Sequence, residues 1–309
     1  MAWPSFIRFF CHLNWHTLTK TVNKIIENRL LGLAAEIAFH SMLSLFPAIL
    51  AMLTAIGLYA EALHNTFTQL ATQLSQLIPQ EAWVIISDFA SKEIAHSKNT
   101  SLFSFSFAIA IWTASGAVNT AMTALDKIQQ TPTNKQRLFW QAKLVSLGLT
   151  ISNILLLMLA SFLVFISDLF LGMLVKGHTS LSFLLHIWQL LLWPVVLGIV
   201  AGAFSFIYLY GPSVWKFGTP LLPGATLAAM FWALVSALFR LYVTNFGNYN
   251  KVYGTVGAFI VLMLWLWMSA FILLVGHQLN VTIGEDMRIK AKNLARNSII
   301  KSHQPKKLD

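Results

Sequence analysis

Glu36 and His40 lie four residues apart inside a long apolar stretch, a spacing that sets both side chains on one face of a helix. A carboxylate and an imidazole so placed could line a polar cavity, exchange a proton or meet a lipid headgroup. Alternatively, Glu36 is close enough to the end of that stretch to snorkel or to pair with Arg29. Asp126 and Lys127 close a second apolar stretch, with Asn119 two turns inside it. They read either as a cap and interfacial anchor or as part of a pathway. Arg240 ends a fifth apolar stretch, where its guanidinium could take a phosphate or anionic headgroup through paired bonds, or simply snorkel into the interface.

Other chemistries find less support. His12 and His16 have the spacing of a helical metal pair, but no HExxH glutamate or third ligand lies nearby. His186 and His277 are single, with no partner within helical reach. No nucleophile–base motif, phosphate-cradling GxxxxGK[ST] loop or dinucleotide fingerprint occurs. Hydrolysis of RNA needs a general acid–base pair or metal-binding carboxylates in a watery domain, and the longest polar pieces, 30 to 40 residues, hold neither. No cofactor, no metal and no catalytic reaction are expected. The lone Cys11 permits no intramolecular disulfide.

The elements that would position these residues follow from composition. Of 309 residues 57% are hydrophobic and only 10% charged, too few charges to cover a water-soluble surface. The fitting solvent is a bilayer, so the fold expected is an all-α integral membrane protein of about six spans. These run at about 33–59, 102–125, 142–166, 184–210, 221–242 and 255–283, within a transmembrane domain of 31–284. Pro47 should kink the first span. Gly198 and Gly202 in the fourth have GxxxG spacing, and small-residue faces permit close packing or self-association into a homo-oligomer. Residues 1–30 read as an interfacial segment, with Leu18, Val22, Ile25 and Ile26 on one helical face and Lys20, Asn23, Lys24 and Glu27 on the other. Residues 61–79 carry an apolar stripe at helical spacing and read as an amphipathic helix in an outer-face loop, with 80–95 left open to re-enter the membrane.

The net charge of +10 is distributed for topology rather than for nucleic acid. Of the 21 Lys and Arg, 16 fall in residues 1–30, 126–143, 211–220 and the basic tail 285–309; five fall in the intervening loops. This bias places both termini in the cytoplasm, where anionic lipid headgroups are the expected partners.

Three stretches resemble the YihY/BrkB family of bacterial inner-membrane proteins. They are Ala34-Ala35-Glu36-Ile37-Ala38-Phe39-His40-Ser41-Met42-Leu43-Ser44-Leu45-Phe46-Pro47, then Ala117 to Met122 with Leu125, and a long third stretch. The third runs from Leu222-Pro223-Gly224-Ala225 through Tyr242–Asn250 and Tyr253–Ala258 to Gly276-His277-Gln278-Leu279-Asn280. The resemblance covers roughly residues 20 to 286 and implies six spans in a bacterial inner membrane. It also brings forward Asn245, in the Asn-, Gly- and Tyr-rich segment before the last span, and Gln278, where relatives carry a glutamate in "GAEL". Any mechanism needing a carboxylate there is in doubt for this chain, although Gln278 keeps hydrogen-bonding capacity. Members of the family were once labelled ribonuclease BN, an assignment generally regarded as mistaken; others are called virulence or serum-resistance factors, and lipid movement has been proposed for relatives. The resulting expectation is a transporter-like envelope protein acting on a lipid or amphipathic substrate, with a scaffold for other envelope proteins as the alternative.

Overall fold

The computed structural model describes residues 9, 14–51, 100–175, 182–214, 219–246 and 249–302. The expected amphipathic outer-face helix 61–79, the stretch 80–95 and His12 lie outside these residues. Among the described residues there are seven α-helices, one short 3-10 turn and no strand. The helices are α1 (Trp15–Glu27), α2 (Leu30–Ala51), α3 (Thr100–Ile128), α4 (Phe139–Val175), α5 (Ser182–Tyr210), α6 (Leu222–Phe246) and α7 (Tyr249–Ser302). The protein is therefore an all-α membrane protein.

Five helices carry stretches long and apolar enough to cross a membrane: Leu30–Ala51, Phe103–Ile128, Phe139–Leu163, Leu222–Val243 and Phe259–Lys290. Helix α5 has 29 residues, enough to rise roughly 43 Å at 1.5 Å per residue, and is apolar from Pro194 to Tyr210. Large apolar side chains such as Phe46, Phe162, Phe231 and Ile260 are exposed around the bundle, the pattern expected where lipid rather than water is the outer solvent.

Two segments are more helical than their composition suggests. Asn, Gly and Tyr between 245 and 253 read as a loop, yet α6 runs through Phe246 and α7 resumes at Tyr249. The basic stretch after Ile283 continues α7 without a break to Ser302.

Packing follows chain order, α3 on α4, α4 on α5, α5 on α6 and α6 on α7, while α7 also meets α3 and α1. The core gathers at one end of the bundle. There Leu30, Ala34 and Ile37 of α2 meet Ala121, Ala124, Leu125 and Ile128 of α3, with Tyr208, Ala225 and Leu274 from α5, α6 and α7. Alanines are frequent there because the helices approach closely, and glycine marks some of the tightest contacts. A Cβ on Gly276 would stand 2.5 Å from Tyr208 Oη, 2.6 Å from Ala228 Cβ and 3.2 Å from the carbonyl oxygen of Gly224. By contrast, a Cβ on Gly198 or Gly202 would meet nothing within 4 Å, so the GxxxG pair marks no close helix contact among the described residues.

Helix α1 lies along the far end of α7. Lys20 pairs with Asp286 at 2.6 Å and Lys24 with Glu285 at 2.6 Å, while the Thr17 hydroxyl donates to Asp286 at 3.3 Å. Its buried face is thus polar, with Thr17 and Thr21 inward. Its apolar stripe of Trp15, Leu18, Val22 and Ile26 faces outward, as an interfacial helix requires. Arg29, at φ 54°, turns the chain from α1 into α2 in a left-handed conformation that disfavours side chains by about 1 kcal/mol.

Candidate functional site

The apolar run of α7 ends in Gly276-His277-Gln278-Leu279-Asn280, and the chain then folds its most buried polar side chains against four other elements. His277, Gln278, Asn280 and Thr282 are fully buried. Burying amides and an imidazole is costly unless each atom finds a partner, so the partners identify what this seam joins.

Gln278 is used on both sides. Its Oε1 accepts from Asn28 Nδ2 at 3.0 Å, tying the end of α1 to α7. Its Nε2 donates to Thr282 Oγ1 at 3.2 Å, and the Thr282 hydroxyl donates back to the Gln278 carbonyl at 2.9 Å. An amide can donate and accept at once; an ionised glutamate would only accept. The departure from the glutamate of the resembling family thus has a structural counterpart.

His277 faces α3 and α5. Its Nε2 lies 3.3 Å from Gln129 Nε2, a hydrogen bond whose direction is set by which ring nitrogen carries the proton. Nδ1 has no hydrogen-bond partner among the described residues. Tyr208 packs its ring 5.0 Å from the imidazole and donates its hydroxyl to the Leu273 carbonyl at 2.7 Å. Asn280 donates to the carbonyl of Leu221 at 3.1 Å, at the start of α6, and lies directly over Gly224; its Oδ1 has no partner among the described residues.

Gln129 reaches this seam because α3 ends in a reversal. The Thr131 N–H donates to the Asp126 carbonyl at 2.9 Å and the Gln130 N–H to that of Lys127 at 3.0 Å, with Gln130 at φ 53°. This is the paired closure of a helix C-terminus, here with glutamine in the position glycine usually fills.

Alongside it, Asp126 and Arg137 hold the segment after α5. The Asp126 carboxylate accepts the Ser213 N–H at 2.7 Å and the Ser213 hydroxyl at 2.6 Å. The Arg137 guanidinium donates to the carbonyls of Gly211 (2.6 Å), Pro212 (2.9 Å) and Tyr210 (3.0 Å), where α5 exposes the negative end of its dipole. Burial pulls the Arg137 pKa below its ordinary value and the nearby Asp126 charge opposes that shift. A guanidinium nonetheless remains a cation throughout.

The residues singled out by sequence are spread over the molecule. Asp126 and Gln278 belong to the polar end just described. Glu36 is exposed on α2, and His40, half-buried, lies against α3, where a Cβ on Gly116 would sit 3.5 Å from its Nδ1. Asn119 is half-buried in α3, Arg240 is exposed on α6, and Asn245 lies in the last turn of α6. Asn28, Gln129, Asn280, Arg137 and Ser213 were not singled out, and His277 was read as isolated. The available signal was a polar run closing an apolar helix; the missing one was which distant residues it meets. No group of three or more His, Cys, Asp or Glu that could hold a metal occurs among the described residues, and His16 is exposed.

A family model described as Virulence factor BrkB matches residues 21–299. YfkH of Bacillus subtilis (strain 168), whose name calls it ribonuclease-like, is 31% identical over 270 residues, which is 84% of this chain and 92% of YfkH. Shorter matches come from two UPF0761 membrane proteins. That of Tolumonas auensis is 33% identical over 84 residues, 27% of this chain and 28% of its own length. That of Yersinia enterocolitica is 34% identical over 94 residues, 30% of this chain and 31% of its own. The chain therefore spans nearly all of YfkH but less than a third of either UPF0761 protein. No solved structure matches.

Proposed function

The chain belongs to the Virulence factor BrkB family of multi-pass bacterial membrane proteins, and from this premise we propose that it is transporter-like and moves a lipid or amphipathic substrate. The observation that carries the reading is the buried polar end of the bundle. Among the buried polar atoms that lack hydrogen-bond partners within the described residues are His277 Nδ1 and Asn280 Oδ1, both at this end and both on fully buried side chains. Each such atom costs about 1–3 kcal/mol, and polar groups held at that cost in a membrane bundle mark substrate or ion paths by default. The name of YfkH carries no argument for RNA hydrolysis here, and this reading gives the chain no catalytic reaction.

We also propose that both termini lie in the cytoplasm. The direct pairing of α1 with the far part of α7 supports putting them on one side of the membrane, and the distribution of Lys and Arg favours the inner side.

The test is reconstitution with a trace of fluorescent phospholipid and an impermeant quencher, against protein-free vesicles and the variants Glu36→Gln and His277→Leu. Quenching well beyond the half expected for outer-leaflet label, diminished in a variant, is the expected result. No excess over protein-free vesicles across a panel of lipids and solutes would end this reading.

A scaffold is the second reading, favoured by the exposed Trp15, Leu18, Val22 and Ile26 stripe and by the long helical extension of α7. Co-purification of one stoichiometric partner supports it; a stable particle containing this chain alone counts against it.

A further inference from the structure

Lys143 stands one turn inside α4, within the apolar stretch Phe139–Leu163. Its ammonium donates to Ser115 Oγ at 2.6 Å and to the Trp112 carbonyl at 3.1 Å, and it sits 4.0 Å from the centre of the Trp112 ring. Every one of these partners is neutral. The ion pairs formed among the described residues involve Lys20 and Lys24 with Glu285 and Asp286; none involves Lys143. Arg137, the other cation at this end, has Asp126 nearby and three carbonyls on its guanidinium. Lys143 is thus a membrane-embedded cation oriented by dipoles and a ring face but not neutralised.

Its surroundings say what can complete it. Phe139 and Trp140 are each 70% exposed at the start of α4, the aromatic position typical of the headgroup level. Lys143 is one turn deeper, and Trp112 beside it is half exposed to the lipid side. From that turn an exposed apolar ridge rises along α4 through Leu144, Ile151, Leu155, Met158 and Phe162, one face of the helix at spacings of seven, four, three and four. A ligand with an anionic head at Lys143 and hydrocarbon along this ridge fits both features.

We propose that the Lys143–Ser115–Trp112 turn binds the phosphate of an anionic phospholipid, approached from the bilayer between α3 and α4, with the acyl chains lying on the α4 ridge. The phosphate supplies the negative charge that the protein leaves out, through a charge-assisted bond to the ammonium, while the buried Ser115 hydroxyl, which donates to the Trp112 carbonyl at 2.7 Å, holds the ammonium in place by accepting from it. The identity of the ligand as a lipid rests on the lipid reading above; the phosphate chemistry does not.

The experiment is native mass spectrometry of the full chain in detergent, titrated with phosphatidylglycerol, phosphatidylcholine or inorganic phosphate. The variants are Lys143→Met, Lys143→Arg and, as a charge control on α7, Lys290→Met. Lys143→Met should weaken the tightest phosphatidylglycerol site about fivefold, the equivalent of roughly 1 kcal/mol for a basic residue at the lipid surface. Lys143→Arg and Lys290→Met should leave it within twofold, and phosphatidylcholine should bind more weakly throughout. Methionine matches the length of the lysine stem, and thermal melting of each variant checks that the fold is intact. Equal phosphatidylglycerol binding by wild type and Lys143→Met overturns the site, as does equal weakening by Lys290→Met. Binding of inorganic phosphate in place of the lipid, lost in Lys143→Met, overturns the lipid assignment. Failure here with lipid movement intact removes this site alone; binding here without movement removes the transport reading alone.

Discussion

Gly276→Ala tests the close contact of α7 with α5 and α6. The added Cβ would stand 2.6 Å from Ala228 Cβ, whereas carbon atoms at rest lie about 3.5–4.0 Å apart, so α6 or α7 must withdraw by roughly 1 Å. Overpacking of this kind costs about 1–3 kcal/mol. The same Cβ meets Tyr208 Oη at 2.5 Å and displaces a hydroxyl that donates to the Leu273 carbonyl at 2.7 Å. Stranding that buried hydroxyl adds about 1–3 kcal/mol, which puts the total at about 2–6 kcal/mol. Gly198→Ala is the matched control, since its Cβ meets nothing within 4 Å and alanine favours the helix by up to about 1 kcal/mol. Unfolding by SDS in mixed micelles, followed by tryptophan fluorescence, gives both values. Tyr208→Phe removes the hydroxyl the new methyl strikes, so the double variant should fall short of the summed losses by at least about 1 kcal/mol. Equal stability of Gly276→Ala and Gly198→Ala, or strict additivity with Tyr208→Phe, would refute the close-approach argument.

Two further outcomes follow from the polar contacts. Asp126→Ala strands the Ser213 N–H and hydroxyl and should lower stability by about 2 kcal/mol, the range for bonds to a charged acceptor. Amide exchange at Ser213 should accelerate with it, and unchanged protection would show that the carboxylate does not hold that segment. Lys24→Glu should loosen α1, speeding amide exchange over residues 15–27 by roughly two- to fivefold for a part-exposed pair. Adding Glu285→Lys should restore most of the protection; a double variant that exchanges as fast as the single one would deny the pairing.

What the sequence could and could not reveal divides by the range of the interaction. The apolar stretches were readable because length and composition alone decide whether a helix can sit in a bilayer, and five of the expected spans coincide with helices that meet both conditions. The outward stripe of α1 was readable because amphipathicity is periodic and local. The seam was not, since Asn28 and Gln278 are 250 residues apart and Gln129 and His277 are 148 apart, and neither pair leaves a local pattern. Glycine shows the same division. The GxxxG pair at 198 and 202 is conspicuous in sequence and marks no close contact among the described residues, while Gly224 and Gly276, which let α6 and α7 meet, share no spacing at all. A search for ionisable residues in spans led to Glu36, which is exposed, and passed over Lys143, which lay beside the assumed start of its span. Charge draws attention in an apolar sequence, but at the closed end most of the buried polar work falls to amides, hydroxyls and one neutral imidazole.

The transport reading requires that the closed end can part, and the two kinds of contact there differ in how they would respond. Between α6 and α7, Gly276 packs against Ala228 and Gly224 with Tyr208 wedged beside it, and the Asn280–Leu221, Trp232–Ser269 and Trp265–Ser236 hydrogen bonds cross the same pair; separating these helices breaks all of these and opens a void. Between α7 and α1 or the end of α3 the joins are polar: Gln278 to Asn28, Lys20 to Asp286 and Lys24 to Glu285 on the α1 side, and His277 to Gln129 on the α3 side. Each is worth about 1 kcal/mol net, because water replaces the lost partner. Parting along these joins also hydrates His277 Nδ1, recovering part of a penalty borne only while the end is closed. The net cost is then a few kcal/mol, within reach of a ligand that binds the two arrangements unequally. The α6–α7 pair is therefore the rigid unit of this end, and α1 with the end of α3 is the side on which it can give way.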